Sequence, residues 1–294
     1  MPTGIAKDDD VAALARRAAG LTVDGGDPRL KAIVHDLLIA AFEIIDRHDI
    51  SENEFWSAVG FAQSAAPEFG LIIPGLGLEH YFDLMLDARD AQAARGGGTP
   101  RTIEGPLFVE GAPLSEGRAA LNRAGDAGEA LEMSGTVYDA EGRPVAGAVL
   151  DVWHANAQGS YSIFDPSQPP FNLRAKIRTG SDGRYAFDTI MPVGYSCPPG
   201  GATETLLARI GRHGARPAHV HFFVRAAGHR ALTTQINIAD DPLVNDDFAF
   251  ATRDGLIPPI ARSADGASIA FDFHLQPADD EAGEQLSRRT RATA

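Results

Sequence analysis

Two histidines one residue apart, in Arg216-Pro217-Ala218-His219-Val220-His221-Phe222-Phe223-Val224, are the first residues whose spacing suggests chemistry. Valine and phenylalanine around them favour a strand. Side chains two apart on a strand share a face, so His219 and His221 would project side by side while Val220 and Phe222 turn to the core. Two such imidazoles can bind one metal ion. Neutral imidazole suits several metals, and the pair would serve equally as polar positions on a solvated face.

The chain holds five tyrosines. Tyr138 and Tyr185 sit in strand-like runs, where an aromatic needs no special reason, and Tyr81 in a helical one. Tyr161 and Tyr195 fall close behind Gly159 and Gly194, in stretches 155–175 and 191–218 that lack a regular pattern. Long loops of a compact β domain more often carry function than idle, with ordinary loop packing as the alternative.

The elements that must position these residues change character along the chain. Asp27-Pro28 reads as a helix start, followed by Leu30, Ile33, Val34, Leu37, Leu38, Ala41 and Ile45 at helical spacing. Ile39, Phe42 and Ile44 widen that apolar face, which suggests burial on more than one side. Ser51-Glu52-Asn53-Glu54 matches a capping box, and a further helix is expected over 79–94. Arg95-Gly96-Gly97-Gly98-Thr99-Pro100 reads as a linker. From 103 onward, strand-like runs at 133–138, 148–153, 184–187, 219–224, 233–238 and 269–275 alternate with turn signals, as in a β-sandwich. The stretch from 278 is polar and reads as a loose tail.

Composition narrows the function classes. A formal net charge of -14 over 294 residues argues against nucleic acid and against anionic membranes. A single cysteine, Cys197, excludes an internal disulfide and fits a reducing compartment. The start, MPTGIAKDDDVAALARRAAG, lacks the apolar core of a signal peptide, and apolar runs such as 37–42 are too short for membrane insertion. A cytoplasmic location is expected.

Several strings together carry a resemblance: Asp151-Val152-Trp153-His154-Ala155-Asn156, Gly159-Ser160-Tyr161-Ser162, Pro192-Val193-Gly194-Tyr195, the run 216–223, Leu232-Thr233-Thr234-Gln235-Ile236, and 246–253. With Ile103-Glu104-Gly105-Pro106-Leu107 they make the chain similar to the intradiol ring-cleavage dioxygenases, and within them to the catechol 1,2-dioxygenases. The resemblance implies one Fe(III) per chain, held by Tyr161, Tyr195, His219 and His221. It also implies cleavage of catechol by O2 between its two hydroxyls to cis,cis-muconate. Tyr195, Arg216 and Gln235 match catalytic positions. The chemistry suits the residue types, because a bound cation turns a phenol into a phenolate and two phenolates favour the ferric state. A ferrous oxygenase would instead use two histidines and a carboxylate, and no carboxylate is comparably placed beside His219 and His221.

The fold implied is α+β: a helical N-terminal dimerisation and linker domain, 1–102, and a β-sandwich catalytic domain, 103–294. The implied substrate wall is Leu71, Pro74, Ile103, Pro106 and Leu107, with Phe248 and Ala249 opposite and Cys197 nearby. Hydroxyquinol enzymes tend to carry an acidic residue where Pro74 stands, so an apolar or unsubstituted ring is expected. The family also implies a homodimer around a lipid-binding tunnel, with Leu37, Leu38, Ala41 and Phe42 as candidates for that surface and a phospholipid within it. The competing readings are a hydroxyquinol or chlorocatechol 1,2-dioxygenase, and a non-enzymatic β-sandwich binding module, to whose start Gly142-Arg143-Pro144-Val145-Ala146-Gly147-Ala148 is similar.

Overall fold

The structure, a computed structural model, describes residues 8–93, 95–279, 283, 285–286 and 291–293. It divides into two units, Met1–Ala66 and Pro67–Ala294.

The first unit contains α1 (Asp8–Ala18), α2 (Pro28–Arg47) and α3 (Glu52–Ala65). Asp27 Oδ1 accepts the N–H groups of Arg29 and Leu30, and Pro28 opens α2. Ser51 and Glu54 form the reciprocal capping box of α3. The burial expected for the wide apolar face of α2 is not found within the chain. No residue of α2 is buried, and Leu37 is 65% exposed. The helix is amphipathic, and its apolar side is at most half-buried: Val34, Leu38, Phe42 and Ile45 are partly covered, Leu30, Ile33 and Leu37 exposed.

The second unit opens with α4 (Phe69–Gly75) and α5 (Leu78–Gln92). The change from helix to strand at 102/103 therefore lies inside this unit. There follow β1 (Val109–Glu110), β2 (Leu114–Glu116), β3 (Arg118–Ala120), β4 (Ala130–Tyr138), β5 (Val149–His154), β6 (Arg174–Arg178) and β7 (Arg184–Ile190). Then come β8 (Tyr195–Ser196), α6 (Ala202–Arg209), β9 (Ala215–Arg216), β10 (His219–Arg225) and β11 (Leu232–Asn237). The described elements end with β12 (Ala261–Ser263), β13 (Gly266–Ala270), β14 (Phe273–His274) and β15 (Ala292–Thr293).

One sheet has the order β11-β10-β5-β6-β2, the other β12-β13-β4-β7-β3 with β14 on β4. Leu150, Val152, Ile177, Val220, Phe222 and Ile236 of the first sheet meet Leu131, Met133, Val137, Phe187, Ile269 and Phe273 of the second in one buried cluster. This is a sandwich core, and each of these side chains contributes about 1.5–3 kcal/mol by leaving water.

The run expected at 269–275 is two strands. The Phe271 carbonyl lies so close over Gly135 that a Cβ there would sit 1.8 Å from it, and Asp272 Oδ1 takes the Thr136 N–H at 2.7 Å. Backbone pairing is interrupted at that crossing. The loop expected at 191–218 contains α6, whose first N–H groups, on Ala202 and Thr203, are accepted by the distant Glu68. No local capping residue announces that helix. The tail from 278 is not wholly loose. β15 pairs in parallel with β1, and Arg291 donates to Glu104 at 2.8 and 2.9 Å. Residues 280–282, 284, 287–290 and 294 of that tail, like residues 1–7 of the expected N-terminal stretch, lie outside the described residues.

Candidate metal centre

Strand β10 has two working faces. Val220, Phe222 and Val224 enter the sandwich core. His219 and His221 project to the other side, both buried, with Phe223 in a second cluster beside Leu107, Trp153 and Tyr161. The alternation expected from the sequence is what the strand does.

The ladder sets what stands beside the histidines. Gln235 pairs with His221 across β11–β10, His221 with Trp153 across β10–β5, and Trp153 with Arg174 across β5–β6. These four residues form one buried row on one face of the sheet. Trp153 stacks on His221 with centroids 4.7 Å apart and planes 4° from parallel, which fixes the imidazole plane.

Tyr161 arrives from the loop after β5, and Tyr195 from the short β8, where it pairs with Arg216 of β9. Asn156 Oδ1 accepts the N–H groups of Gln158 and Ser160 and turns the chain ahead of Tyr161. Gly159, at φ +74°, would place a Cβ 3.1 Å from both the Gly194 carbonyl and Tyr195 Cβ. A side chain there would hold the two tyrosine segments apart. The rings of Tyr161 and Tyr195 meet edge to face at 5.5 Å, and Tyr195 lies 5.6 Å from His219.

His219 Nδ1 lies 2.6 Å from the Pro217 carbonyl. A carbonyl only accepts, so Nδ1 carries the proton and Nε2 keeps its lone pair. That Nε2 is 3.0 Å from His221 Nε2 and 3.0 Å from Arg216 Nη1. Burial, then the Arg216 cation, pulls His219 down to about 3, and burial with His219 beside it holds His221 well below the usual imidazole range. Both rings are neutral, as metal ligands must be. Tyr161 Oη is buried, with no hydrogen-bond partner within reach among the described residues, and burial, then the neighbouring Tyr195, pushes that phenol well above its ordinary value.

A buried network backs the site. Arg216 donates through Nη2 to Gln235 Oε1 at 2.7 Å and to Asp247 Oδ2 at 2.9 Å, and through Nε to Asp247 Oδ1 at 3.1 Å. Gln235 Nε2 donates on to Asn237 Oδ1 at 3.0 Å. Burial works against both charges of the ion pair. Each nevertheless stays ionised, Arg216 held up by Asp247 and Asp247 held down by Arg216.

Among the described residues, no group of three or more His, Cys, Asp or Glu could hold a metal. The phenols of Tyr161 and Tyr195 are oxygen donors beside the two histidines. The donor set fits a ferric ion: two neutral imidazoles with facing nitrogens, and a buried phenol oxygen with no partner.

Of the expected wall residues, Ile103, Phe248 and Ala249 pack in one buried cluster with Leu207, and Leu107 lies with Tyr161. Pro74 is buried, Leu71 half-buried and Pro106 exposed, its ring against Gly70. Cys197 is buried, with its Sγ facing Gly214. A cavity of about 420 Å³ lies between α5, residues 99–104 and the start of β11; Ile103 lines it, but none of the four candidate ligands does. Asp247, Asn237, Trp153 and Arg174 received no role from the sequence. Strand alternation could have pointed to Asn237, two residues from Gln235, but only the strand register places Trp153 and Arg174 in the row.

Comparison with known proteins gives the family. Family models described as "Dioxygenase" and "Catechol dioxygenase N terminus" match residues 103–277 and 27–94. A catechol 1,2-dioxygenase from Acinetobacter lwoffii is 51% identical over 253 residues, 85% of this chain and 92% of that one. The crystal structure of catechol 1,2-dioxygenase from Pseudomonas arvilla C-1 superposes with a TM-score of 0.93 at 47% identity, covering 98% of each chain. A chlorocatechol 1,2-dioxygenase from Rhodococcus opacus is more distant, 35% identical over 80% of this chain and 92% of that one. This chain belongs to the intradiol ring-cleavage dioxygenases.

Proposed function

We propose that this protein cleaves catechol with O2 between its two hydroxyls, giving cis,cis-muconate, at one Fe(III) per chain held by Tyr161, Tyr195, His219 and His221. One observation carries the reading: two phenols and two imidazoles from one loop and two strands come together where the described residues offer no competing carboxylate set. A bound ferric ion would supply the Lewis acidity that draws both catechol oxygens into one complex and activates the ring toward O2.

The chain's own residues do the rest. Tyr195 is half-buried where Tyr161 is buried; it would help to hold the ion and would be the phenol placed to take a proton from a catechol hydroxyl. Arg216, held by Asp247 and Gln235, points Nη1 at His219 and stabilises negative charge that develops on the bound ring. Leu71, Pro74, Ile103, Pro106 and Leu107, with Phe248, Ala249 and Cys197, form a wall without a charged side chain. That wall favours catechol over hydroxyquinol, because it offers a third hydroxyl no partner.

Residues 1–102 serve as the helical dimerisation and linker part and 103–294 as the catalytic part. The partly exposed apolar side of α2, with Leu37, Leu38, Ala41 and Phe42, is the surface of a homodimer that encloses a phospholipid. Among the described residues no helix is long and apolar enough to cross a membrane, and a cytoplasmic location fits the lone cysteine.

Mixing the iron-loaded protein with catechol in air and following muconate in the ultraviolet tests the reading. The loaded protein should be wine-red. A colourless, inert protein after iron loading would favour the binding-module reading.

A further inference from the structure

We propose that Arg212 determines substrate size, as a pin that holds two segments of the catechol pocket wall against each other. The proposal rests on the reading of Pro74, Phe248 and Ala249 as substrate wall. Arg212 Nη1 donates to the Gly75 carbonyl at 2.6 Å, and Nη2 donates to the Phe248 carbonyl at 2.8 Å. The guanidinium carbon also lies 4.5 Å from the centre of the Phe250 ring. One planar fork therefore joins the last residue of α4 to the loop 247–250. Gly75 ends the helix, so its carbonyl has no partner further along α4.

Every part of this seam is fixed from behind. α6 closes in a Schellman motif: Gly211, at φ +74°, donates its N–H to the Ala208 carbonyl at 3.1 Å, and the Arg212 N–H goes to Leu207 at 2.8 Å. That sets where the Arg212 side chain starts. The other end of α6 is tied to the approach to α4, because Glu68 accepts the N–H groups of Ala202 and Thr203 at 2.9 Å. The loop is held as well. Phe250 takes a left-handed φ of +55°, a strained turn for a bulky residue, and its N–H bonds the Asp247 carbonyl at 2.9 Å. The seam has no slack: a Cβ on Gly75 would stand 3.0 Å from Phe248 Cε2. Without the fork, α4 and Phe248 lose their direct tie, and the wall can open to a larger ring substituent. Arg212 is thus a positioning residue that acts through Gly75 and Phe248. The rival explanation is that it only caps α4 and stabilises the fold.

The test measures kcat and KM of the iron-loaded parent, R212K, R212Q and F248A for catechol and for 4-chlorocatechol, with thermal unfolding alongside. The ratio of the two kcat/KM values is the readout, because it does not depend on how much enzyme is folded. A lysine keeps the charge but cannot bond two carbonyls and lie flat on a ring, so R212K and R212Q should behave alike. Both are expected to raise KM for catechol with little change in kcat. A pocket discriminates one small substituent by about 10–200-fold, so the ratio is expected to move toward 4-chlorocatechol by roughly 10-fold. A lowered unfolding temperature with a parental ratio in both variants overturns the proposal in favour of the cap. A parental ratio in R212K alone also overturns it, since charge and not the fork would then suffice. Should R212Q not fold, R212K decides: a shifted ratio supports the pin, and a parental one overturns it. If F248A also leaves the ratio parental, the wall reading has failed and the pin falls with it. A shifted ratio in F248A beside parental ratios in both Arg212 variants refutes the pin alone.

Discussion

Replacing Asp247 by Asn isolates the charge that fixes Arg216. The two side chains are 5% and 1% exposed and meet at 2.9 Å. At an effective dielectric constant of about 20, that separation gives an attraction of about 6 kcal/mol, part of which offsets the cost of burying both ions. Removing one charge of such a pair leaves the other uncompensated and costs about 3–5 kcal/mol. The amide keeps an oxygen for the Ala249 N–H, now taken by Asp247 Oδ1 at 3.0 Å, so the lower end, about 3 kcal/mol, is expected. The pH dependence follows from the direction of the shift. Arg216 holds Asp247 below the ordinary carboxylate range despite burial. Its stabilisation is therefore complete above about pH 4, the unfolded value, and is lost as pH falls through the depressed folded value. Denaturant unfolding of metal-free D247N and parent, at several pH values, measures the gap. It should be flat from about pH 5 upward and close in acid. A gap below about 1 kcal/mol at pH 7 would refute the assignment, since the pair would then be no better than an exposed one.

Three further outcomes are expected. His221→Ala should lose iron and colour together, by metal analysis and absorption; retained full ring cleavage would remove His221 from the ligand set. Tyr195→Phe should keep some iron, shift the visible band and slow muconate formation; unchanged turnover would deny Tyr195 a part in the reaction. Gly214→Ala places a Cβ 2.1 Å from Cys197 Sγ, an overpacking expected to cost about 1–3 kcal/mol. Adding Cys197→Ala should recover much of that loss in thermal unfolding, and strictly additive losses would show that the two residues are not in contact.

The strands that carry chemistry were legible because alternation is a local signal: His219-x-His221 needs only the two-residue period of a strand to share a face. Tyr161 and Tyr195 stood out by their type in irregular loops, and their meeting depends on Gly159 and Gly194, whose spatial partners no local pattern gives. What stayed hidden depends on register or on distant partners. Arg174-Ala175-Lys176-Ile177-Arg178 has the charge pattern of a solvated segment, yet it is β6, and its first residue is buried. α6 is capped by Glu68, which is far away in sequence. Asp247 sits in a run of acidic residues that reads as surface until Arg216 is placed on it.

The two faces of β10 explain why stability and chemistry can be changed separately here. Val220 and Phe222 belong to the sandwich-core cluster, which contains none of the candidate ligands. Truncating them should cost stability of the usual core size, about 2–5 kcal/mol, while the donor set stays in place in whatever protein remains folded. The opposite face reverses this. Its imidazoles are neutral, and among the described residues the Tyr161 oxygen and the Nε and Nη2 of Arg174 beyond Trp153 have no hydrogen-bond partner. Those features burden the metal-free fold with unpaired polar groups. A ferric ion on two phenolate oxygens and two imidazoles would remove that burden, so iron should raise the unfolding temperature of the parent protein. The rise should shrink in Tyr161→Phe, which has one anionic donor fewer. An iron-induced shift of equal size in both proteins would separate Tyr161 from the metal and dissolve the centre as drawn.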